Sequence, residues 1–209
     1  MRNETLETWR TVCLLTLGGF VGMSVAAFAA GLLPGDLTMR HALLEHANSL
    51  AAWPPRAVNT GGTWKVLLPG TALLFLLSRA ARRHWWLWCA ILIGSSLIEH
   101  ATKFLVGRPR PSGFALGFPS GHATAAATFA VVVIYISGRE RLGFSARLAI
   151  QAAVIAMMVL VGWARVVLHA HWPTDVLGGF LLGAGCAAAG AWWESARPEP
   201  VRAERARAA

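Results

Sequence analysis

The chain has 209 residues, of which 56% are hydrophobic and only 14% are charged. Domains of this size that fold in water carry more charge, so the composition excludes an ordinary soluble globule and indicates a protein that folds in a lipid bilayer. The formal net charge of +9 does not indicate a nucleic-acid-binding protein, because the basic residues fall in short clusters between apolar runs.

Six apolar runs predict membrane-spanning helices. The first covers residues 11–33, contains no charged residue and is long enough to cross about 30 Å of hydrocarbon as a helix. The letters AFAA at 27–30 also resemble a signal-peptide cleavage site, but the run is longer than a signal-peptide core and two glutamates precede it. We therefore predict a retained helix, with cleavage as the alternative. The other predicted spans are residues 64–78, 85–106, 121–136, 148–168 and 174–193.

The Lys and Arg residues predict which way the bundle faces, because short cytoplasmic loops are enriched in positive charge. Twelve of the 19 fall at the two termini and in the loops between spans two and three and between spans four and five. Both termini are therefore predicted to be cytoplasmic. The outer ends of spans three to six are predicted to face the periplasmic or extracellular side of the cytoplasmic membrane.

Two segments lie outside the six spans. Residues 37–56 place apolar residues at helical spacing and are predicted to form a short helix on the outer surface. Residues 197–209 are rich in Arg, Glu, Pro and Ala, and they are predicted to be a mobile cytoplasmic tail. Residues 1–196 are predicted to form one all-α domain, a polytopic bundle of six transmembrane helices. The three cysteines lie in separate apolar runs, which indicates neither a disulfide framework nor a zinc site.

The tetrapeptide Pro-Ser-Gly-His at 119–122 begins the fourth span. With Ser120 as the N-cap, the helix starts at Gly121, and the free amides of its first turn form an anion site that the helix dipole strengthens. His122 lies beside this site and can give or take a proton near neutral pH. The alternative is an ordinary capped helix with an incidental histidine.

The segment KFLVGRPRP at 103–111 ends the third span and continues into a loop that Gly and Pro keep from being helical for long. Lys103 and an arginine beyond it, Arg108 or Arg110, are candidates to bind the same anion. The alternative is that these cations reach lipid phosphates at the membrane surface, which is the common role of basic residues at helix ends.

The segment ARVVLHAHWPTD at 164–175 joins spans five and six. Pro173 suits the first position of a helix, which places Asp175 in the first turn, where its carboxylate can turn back to His171. A carboxylate bonded to one imidazole nitrogen leaves the other nitrogen free as a nucleophile. His169 has no such partner in the sequence, and Arg165 lies about two turns before His171. The alternative is that the His171 and Asp175 side chains form only a helix-capping pair.

Together these segments supply two histidines, an orienting carboxylate, three cations and a helix N-terminus. These groups suit phosphoryl transfer through a phosphohistidine, in which catalysis is mostly positioning and cationic stabilisation. The chain has only two aspartates, Asp36 and Asp175, and no Walker loop, so a paired-aspartate magnesium site is not predicted. We expect no metal ion and no other cofactor.

These motifs resemble those of the type 2 phosphatidic acid phosphatase superfamily, the membrane lipid phosphate phosphatases related to vanadium haloperoxidases. Ten of the eleven motif positions agree, in order, across the predicted spans three to six. The exception is Ala164, where the third motif usually has serine, and its loss of a hydroxyl affects a supporting contact and not the nucleophile. The matching positions are Lys103, Arg110 and Pro111 in Lys-x6-Arg-Pro, residues 119–122 in Pro-Ser-Gly-His, and Arg165, His171 and Asp175 in Ser-Arg-x5-His-x3-Asp.

The resemblance implies a role for each residue. His171 attacks phosphorus, Asp175 holds His171, and His122 protonates the leaving oxygen and later assists the water step. The phosphate is held by Lys103, Arg110, Arg165 and the backbone at Ser120 and Gly121. Because Arg110 has the motif spacing from Lys103, Arg108 is expected to matter less for turnover. The implied substrate is a lipid phosphate monoester or pyrophosphate in the bilayer, such as undecaprenyl pyrophosphate, phosphatidic acid or phosphatidylglycerol phosphate.

Three other functions use similar residues. A lipid phosphotransferase passes the same phosphohistidine to a lipid headgroup, and product analysis separates it from a hydrolase. An anion transporter moves phosphate without hydrolysis. A haloperoxidase oxidises halide with bound vanadate, but six membrane spans argue against it. The sequence selects neither one lipid nor an oligomeric state.

Overall fold

The computed structural model describes residues 2–47, 54–113 and 116–197, and all regular secondary structure in these ranges is helical. Most of the predicted tail at 197–209, and residues 48–53 of the predicted surface segment, lie outside the described residues. The helices are α1 (Arg2–Ala30), α2 (Asp36–Ala47), α3 (Pro55–Asn59), a 3-10 turn (Thr60–Gly62), α4 (Trp64–Leu77), α5 (Arg79–Arg83), α6 (Trp85–Val106), α7 (Gly121–Arg139), α8 (Phe144–Val167) and α9 (Pro173–Ala196).

Within the described ranges, five helices are each long and apolar enough to cross a bilayer, namely α1, α6, α7, α8 and α9. A sixth span arises if Pro55–Gly62 and α4, which meet at a bend of 48°, are counted as one broken helix. Large apolar side chains such as Leu15, Leu76 and Leu105 are more than 70% exposed, which suits a surface in contact with lipid chains and not water. The predicted all-α fold is confirmed, and the chain is a multi-pass membrane protein.

The helix ends differ from the predicted spans in two informative places. Helix α1 ends at Ala30 and not at residue 33, because Gly31 adopts a φ of +67° and terminates the helix in the left-handed conformation. Predicted span two omitted the bent segment before α4, because the letters NTGG at 59–62 signal a loop in the sequence. In contrast, α6 has the predicted bounds, and α7 begins at the predicted Gly121.

Helices α7 and α9 form the buried centre of the bundle, and glycines bring their backbones together. A Cβ atom at Gly183 would lie 2.3 Å from the Thr124 carbonyl oxygen, and one at Gly179 would lie 2.6 Å from the Ser120 carbonyl oxygen. Only glycine permits such close approach, which is a common way for helices to pack in lipid. The first turns of α7 and α9 are therefore held side by side, and this contact positions the candidate site.

Candidate active site

A cavity of about 850 Å³ brings six of the predicted site residues together. Its remaining wall is mainly apolar and comes from α4 and α6. Three of these apolar wall residues, Leu68, Ile93 and Leu97, are more than 60% exposed, so the cavity is open along the side of the bundle. We call this wall the α4–α6 groove, and it consists of Leu67, Leu68, Leu92, Ile93 and Leu97. The polar end of the cavity is lined by Lys103, Arg110, Gly121, His122, Arg165 and His171.

His171 lies in the short turn between α8 and α9, where its ring is 2% exposed. Its Nδ1 atom is 3.4 Å from Asp175 Oδ2, and the same carboxylate oxygen accepts a hydrogen bond from the Trp172 backbone N–H at 2.9 Å. Asp175 is completely buried in the first turn of α9, as Pro173 at the start of that helix predicted. Nδ1 therefore faces Asp175, and Nε2 is the other nitrogen of a ring that lines the cavity.

The pKa of His171 is lowered from 6.5 to about 4, chiefly by burial, with an opposing effect of Asp175 and smaller lowering effects of the neighbouring Arg165 and Lys103 charges. The sign follows from desolvation, which disfavours the charged imidazolium, and from repulsion between like charges. His171 is therefore neutral at physiological pH. A neutral imidazole is the form that has a free electron pair for attack on phosphorus.

Arg108 is a buried arginine that bridges the two aspartates of the chain. Its Nη1 atom donates to Asp175 Oδ1 at 2.6 Å and to Thr174 Oγ1 at 2.7 Å, and its Nη2 atom pairs with Asp36. Asp36 also accepts hydrogen bonds from the Thr174 backbone N–H at 3.0 Å and from the Thr174 hydroxyl at 2.8 Å. Asp36 and Asp175 are 0% exposed and Arg108 is 2% exposed. Arg108 thus supports Asp175 from behind, a role that motif spacing did not predict.

Ser120 uses its backbone N–H within the protein, although the resemblance implies that the backbone here binds phosphate. Its N–H donates to the Asp175 carbonyl oxygen at 2.9 Å, and its buried hydroxyl has no hydrogen-bond partner in the described part of the chain. Ser120 is the N-cap residue of α7, as predicted, but its side chain makes no cap hydrogen bond. The amides that begin at Gly121 have no intrahelical acceptor, because they belong to the first turn of the helix. They remain the backbone candidates for anion binding.

The three predicted cations reach the cavity from three different elements. Lys103 forms an ion pair with Glu99 one turn earlier on α6. The Nη1 atom of Arg165 donates to Asn59 Oδ1 of α3 at 2.9 Å. Within the described residues, Arg110 is held only by long contacts of 3.3 and 3.4 Å to the Leu116 carbonyl oxygen, and most of its five donors have no partner there and could bind a ligand.

The structure separates His169 from the site. His169 is exposed and has a φ of +55°, and its Nδ1 atom is 2.5 Å from Arg40 Nη2. Its partner is therefore a cation and not a carboxylate, in agreement with its exclusion as nucleophile. Ala164, at the position of the usual serine, is completely buried.

Sequence reasoning missed three residues that contact the predicted site, Asn59, Glu99 and Arg108, and also Asp36, which pairs with Arg108. One of them was readable from the sequence, since Glu99 and Lys103 are four residues apart on a predicted helix and therefore lie on the same face. Asn59 and Asp36 belong to segments that are distant in sequence, and no local pattern indicates their contacts.

A membrane bundle of five or six spans with a cationic, histidine-containing cavity defines a class of protein that handles anionic groups at a membrane surface. A family model described as the PAP2 superfamily matches residues 112–199. An uncharacterised 22.5 kDa protein from the cps region of Klebsiella pneumoniae is 30% identical over 150 residues, which cover 66% of this chain and 68% of that protein. The chain belongs to the PAP2 superfamily.

Other relatives carry more specific names. The undecaprenyl-diphosphatase of Sulfolobus acidocaldarius is 31% identical over 132 residues, which cover 56% of this chain and 58% of that protein. The crystal structure of a PAP2 type phosphatidylglycerolphosphate phosphatase from Bacillus subtilis has a TM-score of 0.74 at 22% identity, over 90% of this chain and 98% of that chain, and so shares the fold. Across the curated relatives, the match spans 35% to 68% of the relative's own length.

Proposed function

We propose that this protein hydrolyses the phosphate monoester or pyrophosphate headgroup of a membrane lipid through a phosphohistidine. One observation carries the proposal: two histidines, three cations and the N-terminus of α7 surround one end of a cavity whose other wall is the apolar α4–α6 groove. The polar end suits a phosphate, and the groove suits the hydrocarbon chain that is attached to it.

The reaction follows from the roles of three residues. Nε2 of His171 attacks phosphorus while Asp175 holds the ring through Nδ1, and the bond from phosphorus to the lipid oxygen breaks. His122 carries a proton and gives it to that oxygen, so that the lipid leaves as an alcohol or as a lipid phosphate. His122 then takes a proton from water as the water oxygen attacks the phosphohistidine. Inorganic phosphate leaves, and both histidines return to their starting states.

The cations provide the charge stabilisation. Lys103, Arg110 and Arg165, with the amides at Gly121, face the oxygens on which negative charge lies during transfer. These groups supply the positive charge that magnesium supplies in many phosphatases, so we propose that the reaction needs no metal ion.

For the substrate, we propose a lipid of the kind named for the relatives, with an isoprenoid pyrophosphate or phosphatidylglycerol phosphate as the first candidates. The α4–α6 groove opens at the side of the bundle, so the tail remains in the bilayer while the headgroup enters. An assay of phosphate release by the purified protein tests this across undecaprenyl pyrophosphate, phosphatidylglycerol phosphate, phosphatidic acid and a lipid A phosphate. Release from none of them would contradict the proposal, and transfer of phosphate to an added lipid would indicate a phosphotransferase.

We also propose that the site faces the outside of the cytoplasmic membrane, because the arginine-rich termini and loops lie at the opposite ends of the helices. Two matched variants test the side, Ser112→Cys in the loop after α6 and Ser145→Cys at the start of α8, each in a background without native cysteines. A membrane-impermeant thiol reagent on intact cells should label position 112 and not 145. Labelling of position 145 alone would invert the topology without affecting the proposed chemistry.

A further inference from the structure

The phosphate end of the cavity contains a carboxylate that the proposed reaction does not use. Glu99 lines this cavity, and its side chain is 1% exposed. One oxygen pairs with the Lys103 ammonium, and the other is 2.6 Å from Nδ1 of His100. A buried carboxylate beside a site for an anion requires an explanation, since like charges repel strongly where water is scarce.

Glu99 lies directly against two groups at the phosphate end of the cavity. A Cβ atom at Gly121 would lie 2.8 Å from Glu99 Oε1 and 3.4 Å from Lys103 Nζ. The carboxylate therefore lies against the first residue of α7 and on the lysine at the same time. These are two of the groups to which the proposed function assigns the phosphate, so Glu99 and a phosphate compete for the same positive charge.

We infer that Glu99 is a resident anion that weakens binding of free phosphate and so makes tight binding depend on the lipid tail. When phosphate enters, the Lys103 ammonium turns towards it, and Glu99 Oε2 stays beside Nδ1 of His100. The repulsion acts on any phosphate, but a lipid also gains free energy from burial of its tail in the α4–α6 groove. Inorganic phosphate has no tail, so the product leaves the site readily. This inference rests on the proposed function.

The sign of one binding measurement tests this role. Vanadate, a mimic of phosphate, is titrated calorimetrically into the purified full-length protein in detergent, which requires no turnover. Glu99→Gln and Glu99→Ala should each bind vanadate roughly tenfold more tightly or better. Each substitution removes a negative charge that repels the anion from a few ångströms away. Lys103→Ala should shift the affinity in the opposite direction by a similar factor. Glu99→Asp keeps the charge and should stay within about threefold of the parent protein.

The alternative is that Glu99 only orients Lys103. In that case both neutral variants bind vanadate more weakly or equally, and either result overturns the inference. Two substitutions are used so that, if one variant fails to fold, the other still tests the inference. Thermal unfolding of each variant identifies a folding defect. If the parent protein binds vanadate and the Glu99 variants show the expected gain, but no lipid phosphate is hydrolysed, then the proposed function fails while the competition stands. If a lipid phosphate is hydrolysed but the Glu99 variants show no gain in vanadate affinity, the proposed function stands and the competition fails.

Discussion

Replacement of Arg108 by alanine should destabilise the protein more than the loss of any cavity cation. The guanidinium is buried and bridges Asp36 and Asp175, which are both 0% exposed. Its removal leaves two buried carboxylates without a counter-charge, a change that costs about 3–5 kcal/mol in the free energy of unfolding. For a chain of this length, such a loss lowers the melting temperature on the order of 10 °C.

Arg110 is the matched comparison, because it lies two residues away but lines the cavity. Among the described residues, Arg110 makes only the two long hydrogen bonds to the Leu116 carbonyl oxygen, so Arg110→Ala should shift the melting temperature by no more than about 2 °C. Turnover per folded molecule should fall on the order of a hundredfold, the usual effect of removing one donor to the transition state. Only the Arg108 substitution is therefore expected to lower the melting temperature strongly.

The assay combines thermal unfolding in detergent with phosphate release per folded molecule. A double variant adds an internal check: Asp36→Asn removes one of the stranded carboxylates, so it should reduce the destabilisation caused by Arg108→Ala. The reasoning is refuted if Arg108→Ala melts at the parent temperature. It is also refuted if the two substitutions add independently.

Three further predictions concern the reaction. His171→Ala should abolish phosphate release while His169→Ala, on an exposed residue outside the cavity, should change it less than about threefold, and equal loss in both would remove His171 as nucleophile. Activity should survive excess chelator, and loss that magnesium restores would contradict metal-free catalysis. Because the pKa of His171 lies near 4 and not 6.5, the nucleophile is protonated only below about pH 4. Protonation of the enzyme should therefore reduce kcat/KM at low pH with an apparent pKa near 4. Substrates with different phosphate pKa values identify this apparent pKa, since it does not move with the substrate; an apparent pKa near 6.5 would contradict the assignment.

The parts of this protein that sequence predicted well are those with local causes. Helix α6 has the predicted bounds because an apolar run ends at Gly107, which adopts a left-handed φ of +61° and caps the helix. The cavity contains residues from all three motifs because each motif lies at a helix end on the same side of the bundle. Periodicity and turn signals were sufficient for these features.

The features that sequence did not predict depend on contacts between distant segments. Asp36 and Arg108 are 72 residues apart in the chain, and their pairing arises only once α2 packs near α9. The hydrogen bond from the Ser120 N–H to the Asp175 carbonyl oxygen is a second example, because it arises from the close packing of α7 on α9. The sequence predicted Ser120 as the N-cap of α7, but no local pattern indicates this acceptor.

The lateral opening of the α4–α6 groove has a consequence for how rates depend on concentration. A lipid that enters from the side diffuses in two dimensions and does not pass through bulk water. The relevant concentration is therefore its mole fraction in the membrane or micelle, and a Michaelis constant for this protein is properly expressed in those units. Addition of inert detergent at fixed total substrate should slow the reaction by surface dilution, although the number of substrate molecules per millilitre is unchanged.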